Sequence, residues 1–182
     1  MPRSKKRTSL KARLSGGNRT SLGRTHEVVA EVLASQRKFT ALVACLAEED
    51  PVVRLRASDA IEKIARSRPE WLEPFKLHIL GIAGGVDQIE VRWHMAQILP
   101  RLALTSRERT VAIDILFDYL EDRSSIVKTH AMQTLADFAA TDPKLKAKIL
   151  PLLGELTEIG TPAMRARGRK ILTHLNRPVS NV

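Results

Sequence analysis

A chain of 182 residues with 43% hydrophobic content has the apolar material for one domain with a sizeable core, and only 4% aromatics means that this core is built mainly from Leu, Ile, Val and Ala. The single cysteine, Cys45, excludes an intramolecular disulfide framework, and no apolar run approaches the roughly 20 residues needed to cross a bilayer. The net charge of +10 belongs to the two ends: residues 1–24 carry +8, residues 25–140 carry −3 and residues 141–182 carry +5. With no signal-like apolar segment in the N-terminal stretch, a cytoplasmic protein without a membrane partner is expected.

In chain order, residues 1–24 hold eight cations, no acid, several Ser and Thr and the pair Gly16-Gly17. Such a segment is expected to form a flexible basic arm, able either to touch phosphates or an acidic protein surface or to serve as a solvated tail. Thr25 is placed to cap a helix over 26–35, with Val28, Val29, Val32 and Leu33 as its buried side. A helix over 37–49 follows, and Cys45 lies in its apolar run as a buried structural thiol. Helix pairs are then predicted at 37–49 with 51–66, 70–82 with 88–103, 106–121 with 125–140, and 143–157 with 162–176. Their start signals are Asp50-Pro51, Asp87 with Glu90, Thr105 with Glu108, Asp142-Pro143 and Thr161-Pro162. Gly84-Gly85 separates the second pair, and Pro74, Pro100 and Pro151 fall inside predicted helices as kink sites. The tail from about 177 to 182 should fray.

The second helices of these pairs copy one pattern. Val53, Ala57, Ala60, Ile61 and Ile64 make an apolar stripe. It returns at Val91, Met95, Ile98, Leu99 and Leu102, then at Val127, Ala131, Thr134, Leu135 and Phe138. The last copy is Met164, Gly168, Ile171, Leu172 and Leu175. Successive offsets are 38, 36 and 37 residues. Self-similarity at that period is the mark of a repeat architecture.

The segments Asp50-Pro-Val-Val-Arg-Leu-Arg-Ala57, Ile89-Glu-Val-Arg-Trp-His-Met95, Ser125-Ile-Val-Lys-Thr-His-Ala131 and Pro162-Ala-Met-Arg-Ala-Arg-Gly168 resemble the second helix of HEAT repeats. The resemblance covers residues 37–176. It departs at Gly160 and Thr161, which replace the acidic turn residue, and at Lys128, which replaces the arginine. It implies an all-α, right-handed solenoid of about four helix pairs, capped by the 26–35 helix, with a ridge of second helices facing a ligand. Domain limits follow as an arm at 1–24, a repeat domain at 25–176 and a tail at 177–182.

Two rows of polar residues run along the second helices. Arg54, Arg92, Lys128 and Arg165 tempt one to see a nucleic-acid groove. The resemblance implies instead a structural ladder in which the basic head bonds acidic turn residues such as Asp50, Asp87 and Asp122. Two residues on, Arg56, His94, His130 and Arg167 flank the stripe on the other side, as a solvated face or as ligand contacts. Trp93 points away from its helix's stripe, and Arg165, Arg167, Arg169 and Lys170 form a cluster with no acid after Glu158.

No nucleophile–base set, metal-ligand set or phosphate-binding glycine loop stands out, so no cofactor, metal or catalytic residue is expected. The pair Glu90 and His94 lacks a third ligand. In architecture and basicity the chain is similar to alkylpurine DNA glycosylases of HEAT-like build, but Gln97 stands where a carboxylate would be wanted. The expected role is a non-catalytic scaffold or adaptor. Its binding contacts would be Arg56, Trp93, His94, His130, Arg167, Arg169 and Lys170, and its partner a protein or peptide. The alternative is nucleic-acid binding through the basic arm and the last repeat.

Overall fold

Helix starts are set by side chains that satisfy free backbone N–H groups. Asp50 accepts from the Val52 amide at 2.8 Å, Asp142 from Leu145 at 3.0 Å and Thr161 from Met164 at 3.4 Å, each just ahead of a proline at the first helical position. Thr105 and Glu108 close a reciprocal capping box, with bonds of 3.3 and 2.7 Å. The resulting fold, seen in a computed structural model that describes residues 9–18 and 20–177, is all-helical, with no strand among the described residues.

The α-helices are α1 (Leu10–Leu14), α2 (Thr25–Leu33), α3 (Phe39–Ala44), α4 (Pro51–Ala65) and α5 (Lys76–Gly85), then α6 (Ile89–Ile98), α7 (Ser106–Leu120), α8 (Ser125–Ala139), α9 (Pro143–Ile159) and α10 (Pro162–Leu175). No helix among the described residues is long and apolar enough to cross a membrane. Several expected boundaries shift. The predicted 37–49 helix is α3 flanked by 3-10 turns at Gln36–Lys38 and Cys45–Ala47. Pro74 and Pro100 sit in the 3-10 segments Pro69–Phe75 and Leu99–Arg101, where a missing i→i−4 donor costs less than inside an α-helix. Pro151 alone of the three lies inside an α-helix, on an exposed position of α9. Gly84 and Gly85 end α5 instead of separating it from α6. Arg24, not Thr25, is the cap residue of α2, because the Thr25 hydroxyl turns back and donates to the Leu22 carbonyl at 2.5 Å.

The stripes form the core. Every stripe position expected from the period is buried except Phe138 and Leu172, which are half-buried. The chain divides into two compact units, residues 1–94 with 101–103 and residues 95–100 with 104–182. In the first, α4 packs against α1, α2, α3 and the two neighbouring 3-10 segments, and nearly all of its length from Leu55 to Ala65 is buried. In the second, α7 packs on α8, α8 on α9, and α10 on both α8 and α9. Arg109 ties α7 to the start of α9, donating to Asp142 at 2.8 Å and to the Phe138 carbonyl at 2.6 Å.

Part of the arm expected over 1–24 takes helical form. Residues 9–14 make a capped helical turn whose Leu10 and Leu14 enter the core, so apolar burial offsets an ordering cost that composition alone made look prohibitive. Residues 1–8, 19 and 178–182 lie outside the described residues, and with them most of the expected frayed tail.

The contact between α9 and α10 needs Gly168. A Cβ there would fall 2.9 Å from the Thr157 Cβ and overlap the Thr157 hydroxyl. Gly168→Ala should therefore lower stability by about 1–3 kcal/mol through overpacking, read as a drop in melting temperature. Thr157→Ala in the same chain should recover part of the loss.

Candidate functional site

The row of polar residues beside the stripes does not form one exposed surface. Arg56, placed at its head, is 2% exposed. Among the described residues its guanidinium donates to main-chain carbonyls of the N-terminal segment: Nε to Ser21 at 3.0 Å, NH1 to Leu14 and Gly16 at 2.7 Å each and to Ser15 at 3.3 Å, and NH2 to Asn18 at 3.4 Å. The loop between α1 and α2 therefore wraps a cation. It closes tightly at Gly23, whose φ of +51° suits glycine and whose missing Cβ would stand 2.8 Å from the Arg56 Cζ. Arg56 is thus not a surface contact in this structure, and it corrects the expectation of a ligand-binding residue. An arginine beside a helical stripe looks the same in sequence whether solvent or the chain's own carbonyls meet it.

His94 is likewise withdrawn from the surface, at 7% exposure. Its Nδ1 stands 3.0 Å from the Ser58 hydroxyl, which itself donates to the Leu55 carbonyl at 2.8 Å. Asp59 Oδ1 lies 3.6 Å from Nε2, beyond hydrogen-bonding distance. This Ser–His–Asp grouping, invisible in sequence because Ser58 and His94 are 36 residues apart, has the members of a nucleophilic triad but not the roles. Ser58 is fully buried, its proton is committed to a carbonyl, and burial lowers the imidazole pKa to about 4, against the pull of Asp59 and Glu62.

Around it the charges are paired. Asp59 meets Lys63 at 2.5 Å, and buried Glu62 meets Arg66 at 2.8 Å and Arg101 at 3.4 Å. Trp93, half-buried, stands edge-on to the His94 ring at 5.3 Å between centroids. His130 is half-buried as well, while Arg167 is exposed and donates to Gln133 on α8 at 2.9 Å.

In the other row, Arg54 NH1 donates to the carbonyls of Glu48 and Glu49 at 2.7 and 2.9 Å, and its Nε donates to Gln88 at 2.9 Å. Arg92 repeats the pattern, with Nε donating to the Val86 carbonyl at 2.6 Å and NH2 3.5 Å from Asp87. Both heads close the turn that precedes their own helix, mostly through carbonyls and less through the acidic side chains expected. Lys128 is half-buried.

The described cations of the N-terminal segment are also engaged: Lys11 with Glu48 at 2.6 Å, Arg24 with Glu27 at 2.6 Å, and Arg13 with Glu31, which Lys38 meets at 2.7 Å. The last helix is different. Arg165, Arg169, Lys170 and Arg177 are exposed and make no ion pair or side-chain hydrogen bond among the described residues. Arg169, Lys170, Thr173, His174 and Arg177 line an open hollow of about 410 Å³ on α10. Sequence reading found the first two of these and missed the rest. Arg169, Thr173 and Arg177 recur every fourth residue, and that spacing was the available signal.

Elsewhere, an aromatic-edged hollow of about 330 Å³ lies between Arg37, Phe39, Trp71 and Phe75 in the first unit. Cys45 is buried, with its thiol donating to the Ala41 carbonyl at 3.3 Å and its pKa pushed up by burial. No group of three His, Cys, Asp or Glu among the described residues could hold a metal ion. No family model, curated protein or solved structure matches the chain.

Two outcomes follow from the buried pair. Arg56→Met should cost about 2–4 kcal/mol, because several charge-assisted bonds are lost and the loop carbonyls stay turned inward. It should also expose the segment after Leu14 to trypsin, read by limited proteolysis. For His94, the folded-state pKa of about 4 lies below the usual value near 6.5. The unfolded chain therefore takes up the proton first as pH falls. Stability should drop between about pH 6.5 and 4, by roughly 3 kcal/mol at most, and stay flat in this respect above that range. His94→Asn should remove that slope from a series of denaturant melts.

Proposed function

We propose that this chain is a non-catalytic binding protein built as a HEAT-like solenoid of about four helix pairs, and that it holds a polyanionic partner on the outer face of α10. Support for the architecture comes from the 36–38-residue recurrence of buried stripes and from the packing of α8 on α10, one second helix on the next. The observation that carries the function is the contrast between used and unused cations. Arg54, Arg56 and Arg92 are consumed by carbonyls, and the described cations of the N-terminal segment by acids. Arg165, Arg169, Lys170 and Arg177 are left facing solvent.

A protein or peptide laid along the ridge of second helices is less favoured, since two of its expected contacts, Arg56 and His94, are inside the first unit. Trp93 and His130 keep partial exposure and define what remains of that alternative.

The full chain should bind a heparin resin and elute at a salt concentration well above that needed for Arg165→Gln/Arg169→Gln/Lys170→Gln. The triple variant should melt at a similar or higher temperature, because it relieves like-charge repulsion along one helix. Equal elution of the two proteins would remove α10 as the binding surface.

A further inference from the structure

The cations of α10 work against the helix that carries them. Arg165 and Arg169 are four residues apart and Arg167 and Lys170 three apart, spacings at which like charges repel on a helix surface. Arg165 and Arg167 also lie in the first half of α10, toward the positive end of its dipole, and no acid occupies its first turn to compensate. Apart from the Arg167 bond to Gln133, this arrangement is relieved when negative charge is brought to the surface from outside.

The chemistry of the face narrows what that anion is. Of the large apolar residues of α10, Met164, Ile171 and Leu175 are buried and Leu172 is half-buried, and the exposed positions are Pro162, Ala163, Ala166, Thr173, His174 and the cations. A lipid surface is held by amphipathic helices that sink an apolar side into it, and this exposed face has none. A protein partner needs an apolar or aromatic anchor at the centre of its interface, and this face lacks that too. What remains is a group of guanidinium and ammonium heads from Arg165 to Lys170, about 7.5 Å along the helix axis at 1.5 Å per residue, with Arg177 just past the C-terminal end of the helix. Guanidinium forks pair with phosphate oxygens. No Trp, Tyr or Phe is present on α10 to stack on a base, and His174 is its one imidazole.

Resting on the polyanion reading above, we infer that α10 binds the sugar-phosphate backbone of a nucleic acid without reading its base sequence. The cations Arg165, Arg169, Lys170 and Arg177, which have no partner among the described residues, are the phosphate contacts, and Arg167, already bonded to Gln133, flanks them. Phosphodiester recognition is common to DNA and RNA, whose source is distinguished by which duplex binds more tightly.

The test measures fluorescence anisotropy of fluorescein-labelled duplexes of about 20 base pairs, one DNA and one RNA, each in two unrelated sequences, against the full chain over a salt series. Fluorescently labelled poly-L-glutamate and labelled vesicles of phosphatidylserine with phosphatidylcholine are titrated in parallel as other polyanions. At least one duplex type should bind, equally in both sequences. Four phosphate contacts give a log–log salt slope of about −3.6, and Arg169→Gln/Lys170→Gln should flatten it by about 1.8. Circular dichroism should show the variant as helical as the parent.

Capture of poly-L-glutamate or of the vesicles, with neither duplex bound, would overturn the nucleic-acid inference and leave the polyanion reading standing. Failure of every polyanion to bind would overturn both. An unchanged slope in the double variant would place the nucleic-acid contact away from α10 and overturn the inference, as would a strong preference between the two sequences.

Discussion

A guanidinium taken out of water must find an oxygen for its N–H groups, because a buried donor left without one costs more than an ordinary bond returns. Arg56 meets this requirement with carbonyls alone, and the first unit is arranged accordingly. Its side chain leaves α4 on a face that would otherwise be wet. To supply the oxygens, residues 14–16, 18 and 21 turn their carbonyls to that face, and Gly23 has to bring the chain back toward α2 without a side chain. Leu14 and Leu10 then follow the loop into the core. With α1 on one side and α2 and α3 on others, α4 becomes a helix surrounded on most of its circumference.

The same requirement sorts the polar positions into two kinds. Near Arg54, Arg56, Arg92 and His94 the surrounding chain provides partners; Arg54, Arg56 and His94 act as fasteners between segments distant in sequence, and Arg92 closes its own turn. Glu62 belongs with them, since Arg66 and Arg101 reach it from different parts of the first unit. On α10 the described residues supply no partner to Arg165, Arg169 and Lys170, so chemically similar residues keep their charge available. The difference between a fastener and a contact is therefore one of neighbours and not of residue type.

That distinction also explains how much could be read in advance. The α-helices from Pro51 to Leu175 were legible because their evidence is local: a cap residue, a proline one position on, and apolar residues recurring at helical spacing. The burial of the four stripes was legible for the same reason. The fates of Arg56 and His94 were not, since each depends on an atom 35 or more residues away, the carbonyl of Ser21 or the hydroxyl of Ser58. The order of residues 9–18 was hidden too. Two leucines amid cations give a low mean hydropathy, but a core needs only those two side chains. Prolines 74 and 100 looked like kinks because sequence shows the missing donor and not the 3-10 turn that tolerates it.

The way Arg56 is held has a consequence for how this chain can diverge. Main-chain oxygens are supplied by every residue type, so substitutions at Ser15, Asn18 and Ser21 leave the bonding pattern intact. Gly23 and Arg56 itself cannot be exchanged on the same terms. The N-terminal segment can thus drift in composition while keeping its path. Its kinship to a distant homologue would be written in one glycine, one arginine and the two leucines that flank α1.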